Sequence, residues 1–573
     1  MNPATAFAEV VVDELIRGGV EHAVLAPGSR SAPMALAFAA AERGRRLRLH
    51  VRTDERSAGF LALGLAKGSG KPVPVLTTSG TAAAHLHAAV LEASYSGIPL
   101  LALTADRPPE MRGTGANQTI DQIGLYGAAV RFFTDVAVPE RRTGSNEQWR
   151  SLVCQTLAWA RGDVDGRPGA VHLNLPLRAP LLPGMPEPGH SSGAAKPWPE
   201  PLEGREQRLP WSATQPAAGH AEDPVIDVDS AGATWLVLGD TTVDISEIAV
   251  ATARRNGWPI FAEPTGNAGS FAVPAYLGLL ESDEFLDRHR PARIVCVGRP
   301  TLSRAIQRLV QHKDTQVDRY AFGPQWMDRG LPIAALRRRS DAHSEPGGGD
   351  VGTVLIDVLA AAGEVLSKHQ DRIVDEGYLG GAKVARDLVC QLPGGSRLFL
   401  GSSTPARDVD RYARPRDGVQ MLANRGVSGI DGSISTAVGI ALADPARPAF
   451  ALIGDLAFLH DLGGLVIPAS EPAPDLTLVV VDNRGGGIFA QLEPGRPEYE
   501  QDYDRVFGTP HPLDLVEVAQ SLGWPAEQVT DAQQLGAALR RAGPKVLVVP
   551  TDQRADADVL RQVRAVPETM FDH

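Results

Sequence analysis

Short apolar runs alternate with amphipathic stretches through the first 180 or so residues of the chain. The runs His22–Ala26, Val73–Thr77 and Leu100–Thr104 lead into the polar loops PGSR, TSGT and ADRP. Runs of this length are typical of buried strands, and the stretches between them have the spacing of helices. The pattern predicts a doubly wound α/β domain over residues 1–185.

The same alternation recurs twice after a segment of different amino-acid composition. Residues 186–230 are rich in Pro, Gly, Glu and Ser, which predicts an interdomain linker. Two further α/β domains are expected at 231–370 and 371–573. Their predicted strands are Trp235–Leu238, Ile294–Val297, Arg397–Leu400, Ala449–Ile453 and Leu476–Val481. We therefore expect three doubly wound parallel-sheet domains, in which ligands bind beyond the carboxyl ends of the strands.

Composition narrows the class of protein. A length of 573 residues is too great for one hydrophobic core, which agrees with several domains. The formal net charge of -12 argues against nucleic acid as the main partner. The three cysteines form no CxxC, and no apolar run approaches the ~18–20 residues of a membrane span. We expect a cytoplasmic protein that binds neither a membrane nor nucleic acid.

Arginine outnumbers lysine by 49 to 7, and five arginines stand near predicted strand ends. Arg30 and Arg107 follow strands of the first domain, and Arg304, Arg407 and Arg425 occupy similar places in the later ones. An isolated arginine is ordinarily a solvated surface charge. Several guanidinium groups at the ligand-binding edges favour substrates that carry several carboxylates.

Two strand ends in the third domain carry oxygen ligands. Asp455 and Asn483 each follow a predicted strand, and a βαβ crossover with a helix from about 459 to 467 brings them to one edge of the sheet. A carboxylate, an amide oxygen and the backbone carbonyl of a glycine turn suit Mg²⁺. The glycine-rich loop 424–433 opens a helix whose free N–H groups can bind an anion. Taken alone, Gly454 followed by Asp455 is more often a turn or a helix cap.

This pair of strand ends resembles the thiamine diphosphate motif. In that family, a Gly-Asp after one strand and an Asn further on bind Mg²⁺, or Mn²⁺, against the diphosphate of the cofactor. The resemblance implies that Asp455, Asn483 and the carbonyl of Gly485 bind the metal. Leu456 and Asp482 depart from the usual family pattern, and neither is an implied ligand.

Glu55 is the candidate for the acid that such a cofactor needs. A carboxyl group must reach the aminopyrimidine ring, and Glu55 stands before an Ala-, Gly- and Leu-rich helix. Its alternative function is to complement the helix dipole from the first turn, and the downstream motif favours the catalytic one. Enzymes of this build place the acid in one subunit and the diphosphate site in another. The resemblance therefore implies a homodimer, possibly a tetramer.

Motifs spread from residue 27 to 489 resemble one family among these enzymes, the 2-succinyl-5-enolpyruvyl-6-hydroxy-3-cyclohexene-1-carboxylate synthases of menaquinone biosynthesis. They are, in order, PGSRSAP, TDERSAGF, TTSGTAAA, TADRPPE, NQTIDQ, NRGVSGIDG, GDLAFLHD and GGGIF. Ala457 stands where a serine is expected in that family. The resemblance implies that the protein decarboxylates 2-oxoglutarate and adds the succinyl unit to isochorismate.

The resemblance also assigns functions to single positions. Glu55 activates the cofactor, and Ile430 is the wedge that bends it. Ile488, Phe489 and Leu492 form an apolar wall against the cofactor and substrates, with ordinary core packing as the alternative. The other cofactor-binding positions are Ser403, Gly429, Gly454 and Asp455, and the substrate-binding positions are Ser29, Arg30, Arg107, Asn117, Gln118, Arg304, Arg407 and Arg425.

Two other functions share parts of the pattern. An acetolactate synthase or a 2-oxoacid decarboxylase would use the same cofactor, but small apolar 2-oxo acids do not need so many arginines. A nucleotide- or flavin-binding regulatory protein would use the α/β domains without catalysis. No GxGxxG follows a first strand here, and Glu55 would then have no function.

Overall fold

The predicted apolar runs form the strands of three parallel β-sheets in the computed structural model, which describes residues 1–185, 197–213, 233–320, 335–337 and 351–571. The predicted α/β class with three parallel sheets is confirmed. Among the helices of these ranges, none combines the length and the apolar character needed to cross a membrane.

The first sheet has six strands in the order β2-β1-β3-β4-β6-β5. Its strands are β1 (His22–Leu25), β2 (Arg48–Val51), β3 (Val73–Thr77), β4 (Leu100–Asp106), β5 (Phe133–Asp135) and β6 (Val171–Pro176). Its helices are α1 (Pro3–Arg17), α2 (Ala32–Arg43), α3 (Glu55–Ser69), α4 (Thr81–Ala84), α5 (His87–Ser96) and α6 (Ser145–Arg161). The strand order reverses between β1 and β3, so the PGSR and TSGT loops open where ligands of such sheets bind.

The second sheet has five strands in the order β11-β10-β9-β7-β8. Its strands are β7 (Thr234–Leu238), β8 (Ile260–Ala262), β9 (Arg293–Val297), β10 (Gln316–Tyr320) and β11 (Ala335–Arg337). Its helices are α7 (Val243–Arg255), α8 (Tyr276–Glu281), α9 (Asp283–His289) and α10 (Arg304–Val310). The buried rings of Trp235 and Phe261 stack in its core with centroids 4.4 Å apart.

The third sheet repeats the strand order of the first, as β13-β12-β14-β15-β17-β16. Its strands are β12 (Ser396–Leu400), β13 (Val419–Ala423), β14 (Ala449–Gly454), β15 (Leu476–Asp482), β16 (Ala526–Gln528) and β17 (Lys545–Pro550). The helices of this region are α11 (Val351–Glu376), α12 (Gly381–Gln391), α13 (Thr404–Tyr412), α14 (Ser433–Ala443), α15 (Asp455–His460), α16 (Gly487–Ala490), α17 (Glu500–Tyr503), α18 (Leu515–Ser521), α19 (Ala532–Leu539) and α20 (Gln553–Phe571).

The helix expected from about 459 to 467 begins earlier than predicted. Helix α15 starts at Asp455, directly after β14, and a 3₁₀ turn at Leu462–Leu465 follows it. β14 ends at Gly454 and α15 begins at the next residue, so no loop separates strand and helix. The other 3₁₀ turns are Pro109–Met111, Gly127–Ala129, Glu206–Arg208, Pro264–Gly266, Gly269–Phe271, Glu493–Gly495 and Pro497–Tyr499, and a π-helical turn spans Asp504–Gly508.

The central strands are buried on both faces. All seven residues of β4 and all seven of β15 are buried. Parallel strands that carry helices on both sides need apolar residues at consecutive positions, which is why these strands appear in the sequence as unbroken apolar runs.

The chain divides by its contacts into two compact units. The first unit comprises Met1–Ala218, Gly426–Pro445 and Asp461–Pro474, and it holds the first sheet. The second comprises Gly219–Arg425, Ala446–His460 and Asp475–His573, and it holds the other two sheets. The domain boundaries at residues 185, 230 and 370 remain predictions.

The predicted linker is described in part. Its residues 186–196 and 214–230 lie outside the described residues. The segment 197–213 packs within the first unit, where the Arg150 guanidinium donates a 2.7 Å hydrogen bond to the Leu202 carbonyl. The Arg17 guanidinium donates another, also of 2.7 Å, to the Arg205 carbonyl.

Candidate active site

The junction of β14 and α15 forms the first half of the candidate metal site. Asp455 is the first residue of α15, and its side chain is buried. Its Oδ1 accepts a 2.7 Å hydrogen bond from the N–H of Leu456, and its Oδ2 accepts one of 2.7 Å from the N–H of Gly485. Burial raises the pKa of Asp455 to about 6, the two N–H groups oppose that rise, and the charge of Asp482 adds to it.

The turn after β15 forms the second half. Gly485 has a φ of +152°, and a Cβ at this position would lie 2.1 Å from the carbonyl oxygen of Gly508. Only glycine fits there. The Oδ1 atom of Asn483 is buried and has no hydrogen-bond partner among the described residues. A buried amide oxygen without a donor is costly, and a hard cation would satisfy it.

A histidine that no sequence pattern indicated, His511, lies beside Asp455 and Asp482. The Nε2 atom of His511 lies 3.4 Å from Asp455 Oδ2 and 3.7 Å from Asp482 Oδ1. One ligand atom from each of the three side chains lies within 4.8 Å of the others. His511 follows the π-helical turn in an irregular segment, and its only signal in the sequence is its place between Pro510 and Pro512.

The donor chemistry of the two strand ends fits a divalent cation. β14 and β15 are neighbouring parallel strands, as the predicted crossover requires. They bring a buried carboxylate to a glycine turn and to an unsatisfied amide oxygen. These are hard oxygen donors that leave coordination positions for phosphate oxygens and water. The residues present therefore fit the metal site that the resemblance implies.

The loop before α14 carries two of the predicted cofactor positions. Gly429 and Ile430 are both partly exposed. Ser428 and Gly432 have φ values of +59° and +62° on either side of them. The loop thus contains two residues in the left-handed conformation before it enters the first turn of α14, and the N-terminus of a helix favours an anion.

Glu55 is the first residue of α3 and is partly exposed. Asp54, and not Glu55, caps the helix: its side chain accepts hydrogen bonds from the N–H groups of Arg56 and Ser57, at 2.9 and 3.4 Å. The carboxyl of Glu55 is therefore not needed as a cap. The position in the first turn agrees equally with the helix-dipole alternative.

The predicted substrate residues of the first unit lie on two loops. Ser29 is exposed, whereas Arg30 is buried and donates a 2.7 Å hydrogen bond to the Leu177 carbonyl. The Arg107 guanidinium donates one of 2.9 Å to the carbonyl of Asn117, so the structure brings these two together. The next residue, Gln118, is exposed and has a φ of +55°.

Three predicted arginines of the second unit lie near one another. Burial lowers the pKa of Arg407, and the positive charges of Arg425 and Arg304 lower it further. Arg425 is buried, and its Nε and Nη2 donate to Thr301 at 3.0 to 3.1 Å. Arg407 donates to the carbonyl of Ser403 at 3.2 Å. Arg304 is exposed and already pairs with Glu493 at 3.1 Å, so an anion would stabilise chiefly Arg407 and Arg425.

The predicted apolar wall is not packed into a core. Ile488 and Phe489 belong to the short helix α16, and both are partly exposed, as is Leu492. The ring of Phe489 lies 5.7 Å, centroid to centroid, from that of Phe507. Large side chains held in this way can exclude water from a neighbouring ligand.

Comparison with known proteins yields matches at both ends of the chain. The N-terminal TPP binding domain of thiamine pyrophosphate enzymes matches residues 5–125, and their C-terminal TPP binding domain matches residues 402–549. The N-terminal domain of a bacteriophage baseplate protein matches the short stretch 313–391.

Whole-length relatives decide the family. A protein of Thermobifida fusca named 2-succinyl-5-enolpyruvyl-6-hydroxy-3-cyclohexene-1-carboxylate synthase is 46% identical over 98% of this chain and 99% of its own length. Proteins of the same name from Saccharopolyspora erythraea and Mycobacterium tuberculosis are 43% and 39% identical, over 98% and 99% of this chain and 98% and 99% of their own. The chain belongs to this synthase family.

Membership of the synthase family confirms the prediction made from the eight motifs. Relatives of the synthase align from end to end, so the family likeness also covers residues 126–401, between the two TPP binding domain matches. The baseplate match, confined to one short stretch, does not alter this placement.

Proposed function

We propose that the protein catalyses the reaction that its relatives' name describes: it decarboxylates 2-oxoglutarate and joins the succinyl unit to isochorismate, in menaquinone biosynthesis. The product is 2-succinyl-5-enolpyruvyl-6-hydroxy-3-cyclohexene-1-carboxylate, with release of CO₂. We further propose thiamine diphosphate with Mg²⁺ or Mn²⁺ as cofactors and a homodimer as the active form.

The contact between Asp455 and Gly485 carries the proposal. It joins two strand ends into one oxygen-rich site, beside an Asn483 oxygen that lacks a partner. Asp455, Asn483 and the Gly485 carbonyl would hold the metal, and the metal would bind the diphosphate. When bound, thiamine diphosphate supplies the electron sink that lets a 2-oxo acid lose CO₂.

Glu55 would hold a proton at its carboxyl group and share it with the aminopyrimidine of the cofactor. A carboxyl group is suited to this exchange once a neighbouring subunit shields it from water, because desolvation favours its protonated form. The family's usual assembly, with the acid and the diphosphate site on different subunits, supports the homodimer.

The arginines would bind and orient the substrates. Both substrates carry two carboxylates, and a guanidinium can bind a carboxylate through two parallel hydrogen bonds. Arg107 with Asn117 and Gln118 in the first unit, and Arg407 with Arg425 in the second, would bind these carboxylates. Ile488, Phe489 and Leu492 would keep water from the reacting carbon.

The test is an assay of purified protein depleted of metal and cofactor. We expect joint consumption of 2-oxoglutarate and isochorismate only when thiamine diphosphate and Mg²⁺ are both restored. Excess pyruvate should not slow the reaction. Turnover that persists without thiamine diphosphate would overturn the proposal, and preferential use of pyruvate would favour an acetolactate synthase instead.

A further inference from the structure

A buried carboxylate fastens the start of the loop before α14. Glu92 lies on α5 and is 2% exposed. Its Oε1 and Oε2 accept hydrogen bonds of 2.8 Å from the N–H groups of Gly426 and Val427, respectively. Ser96 donates a third, of 2.7 Å, to Oε1. A Cβ at Gly426 would lie 2.6 Å from the Glu92 carbonyl oxygen, so the loop rests directly on α5.

A second buried carboxylate fastens the other end. Asp461 is fully buried, and its Oδ2 accepts a 2.7 Å hydrogen bond from the N–H of Ser435. Its Oδ1 accepts another from the Ser435 hydroxyl, at 3.1 Å. Ser435 is the third residue of α14, whose N-cap position is a glycine without a side chain to cap the helix. Asp461 therefore supplies the cap from another part of the chain.

Helix α14 is itself fixed against α3 at very short range. A Cβ at Gly64 would lie 2.2 Å from the Thr436 carbonyl oxygen, and one at Gly439 would lie 2.4 Å from that of Leu61. Backbone meets backbone at both points. The exit of the loop therefore cannot shift without moving a helix.

The burial of the Glu92 carboxylate is not explained by stability alone. The three donors to Glu92 are two backbone N–H groups and a hydroxyl, with no guanidinium or ammonium among them. Burying a charge without a counter-charge is costly, and it is tolerated where the hydrogen bonds are good. The two oxygens of a carboxylate can each accept a hydrogen bond from one of two adjacent N–H groups, whereas an amide side chain has only one oxygen.

We propose that Glu92 and Asp461 are positioning residues that hold the loop of Gly429 and Ile430 in the shape that receives thiamine diphosphate. The inference rests on the proposed function. Because the loop is held in the free protein, the cofactor does not bear the cost of ordering it, and its affinity is correspondingly higher.

The chain supplies matched variants for the test. Glu92→Gln keeps the size of the side chain but places an N–H₂ donor opposite one of the two loop N–H groups. Asp461→Asn likewise keeps the size and places an N–H₂ donor opposite a donor of Ser435. Ser96→Ala removes only the third hydrogen bond to Glu92. Glu14→Gln makes the same chemical change at another fully buried glutamate, which pairs with Arg150.

The measurement is the Kd of thiamine diphosphate for the metal-loaded protein, by calorimetry and without substrate. We expect Glu92→Gln and Asp461→Asn each to raise it by about tenfold or more, or about 1.4 kcal/mol. Ser96→Ala should raise it by less than about threefold. Glu14→Gln should lower the Tm and leave the Kd within about twofold. An unchanged Kd in Glu92→Gln, with a Tm lowered as in Glu14→Gln, would show a merely structural role and overturn the inference.

Hydrogen exchange of the wild-type protein tests the same inference without any variant, and so it remains informative if a variant does not fold. The amides of Gly426, Val427 and Ser435 should be protected before cofactor is added. Protection that arises only with thiamine diphosphate would overturn the inference. A wild-type protein that binds no thiamine diphosphate would overturn the proposed function as well, whereas equal Kd values in wild type and variants would overturn the positioning role alone.

Discussion

The Oδ2 atom of Asp455 accepts a 2.7 Å hydrogen bond from the backbone N–H of Gly485, which lies 30 residues further along the chain. The bond joins the ends of two neighbouring parallel strands. It therefore sets the separation of the carboxylate and the glycine turn in the free protein, and a cation would enter a site whose two halves already meet.

Replacing Asn483 should separate cofactor binding from folding. Asn483→Leu removes a buried oxygen that has no partner among the described residues, so the Tm of the free protein should change little. Wild-type protein should gain stability from Mg²⁺ and thiamine diphosphate, by about 2.7 kcal/mol at a hundred times Kd. In the variant, thermal unfolding should show no such stabilisation by Mg²⁺ and thiamine diphosphate. An equal gain in variant and wild type would show that Asn483 is not a ligand.

The substitution Glu55→Gln should abolish most activity and preserve the fold. Loss of a proton-exchanging carboxyl typically costs about 10²–10⁴-fold in rate. Steady-state kinetics with both cofactors saturating measures the loss, and circular dichroism checks the fold. If Glu55 only complements the helix dipole, the variant should keep its activity and lose at most about 1 kcal/mol of stability.

Gly485→Ala should weaken metal binding. The added Cβ would lie 2.1 Å from the Gly508 carbonyl oxygen at a φ of +152°, so the turn must move, at a cost of about 1–3 kcal/mol. Gly377→Ala is the control, because its Cβ would meet only ordinary contacts at 3.6 and 3.9 Å. Binding of Mn²⁺, followed by electron paramagnetic resonance, should weaken in the first variant and not in the second. Equal binding by both would place the metal elsewhere.

The stability of the protein should fall in acid through His172. This fully buried ring contacts Thr104 at 2.7 Å, and burial lowers the pKa of His172 to about 3. In the unfolded chain His172 is protonated below about pH 6.5, whereas in the folded chain it stays neutral down to about pH 3. The unfolded state therefore binds more protons in this range, and stability is lost as the pH falls through it.

The variant His172→Gln isolates the effect. Between pH 7 and pH 5 the wild type should lose about 2 kcal/mol more unfolding free energy than the variant, measured by urea titration. Parallel losses in the two proteins would show that His172 does not control the acid response.

Much of the fold follows from local pattern, and part of the site does not. The apolar runs locate β3, β7 and β15 to within a residue or two, because buried parallel strands need apolar residues on both faces. The meeting of Asp455 with the turn at Gly485 follows from the crossover rule.

His511 and Glu92 could not be found in this way, because each contacts its partner across a long stretch of chain and is an ordinary polar residue in the sequence. Asp461 ends the motif GDLAFLHD, but the motif does not indicate that its side chain caps α14 at Ser435. Only the folded contacts distinguish Glu92, buried under Gly426, from a solvated glutamate.

The proposed reaction is tested most directly by product analysis with uniformly ¹³C-labelled 2-oxoglutarate and unlabelled isochorismate. We expect one labelled CO₂ and one product that contains isochorismate plus four labelled carbons, formed only with thiamine diphosphate and a divalent metal. Labelled CO₂ without a labelled adduct, or an adduct formed equally well from pyruvate, would contradict it.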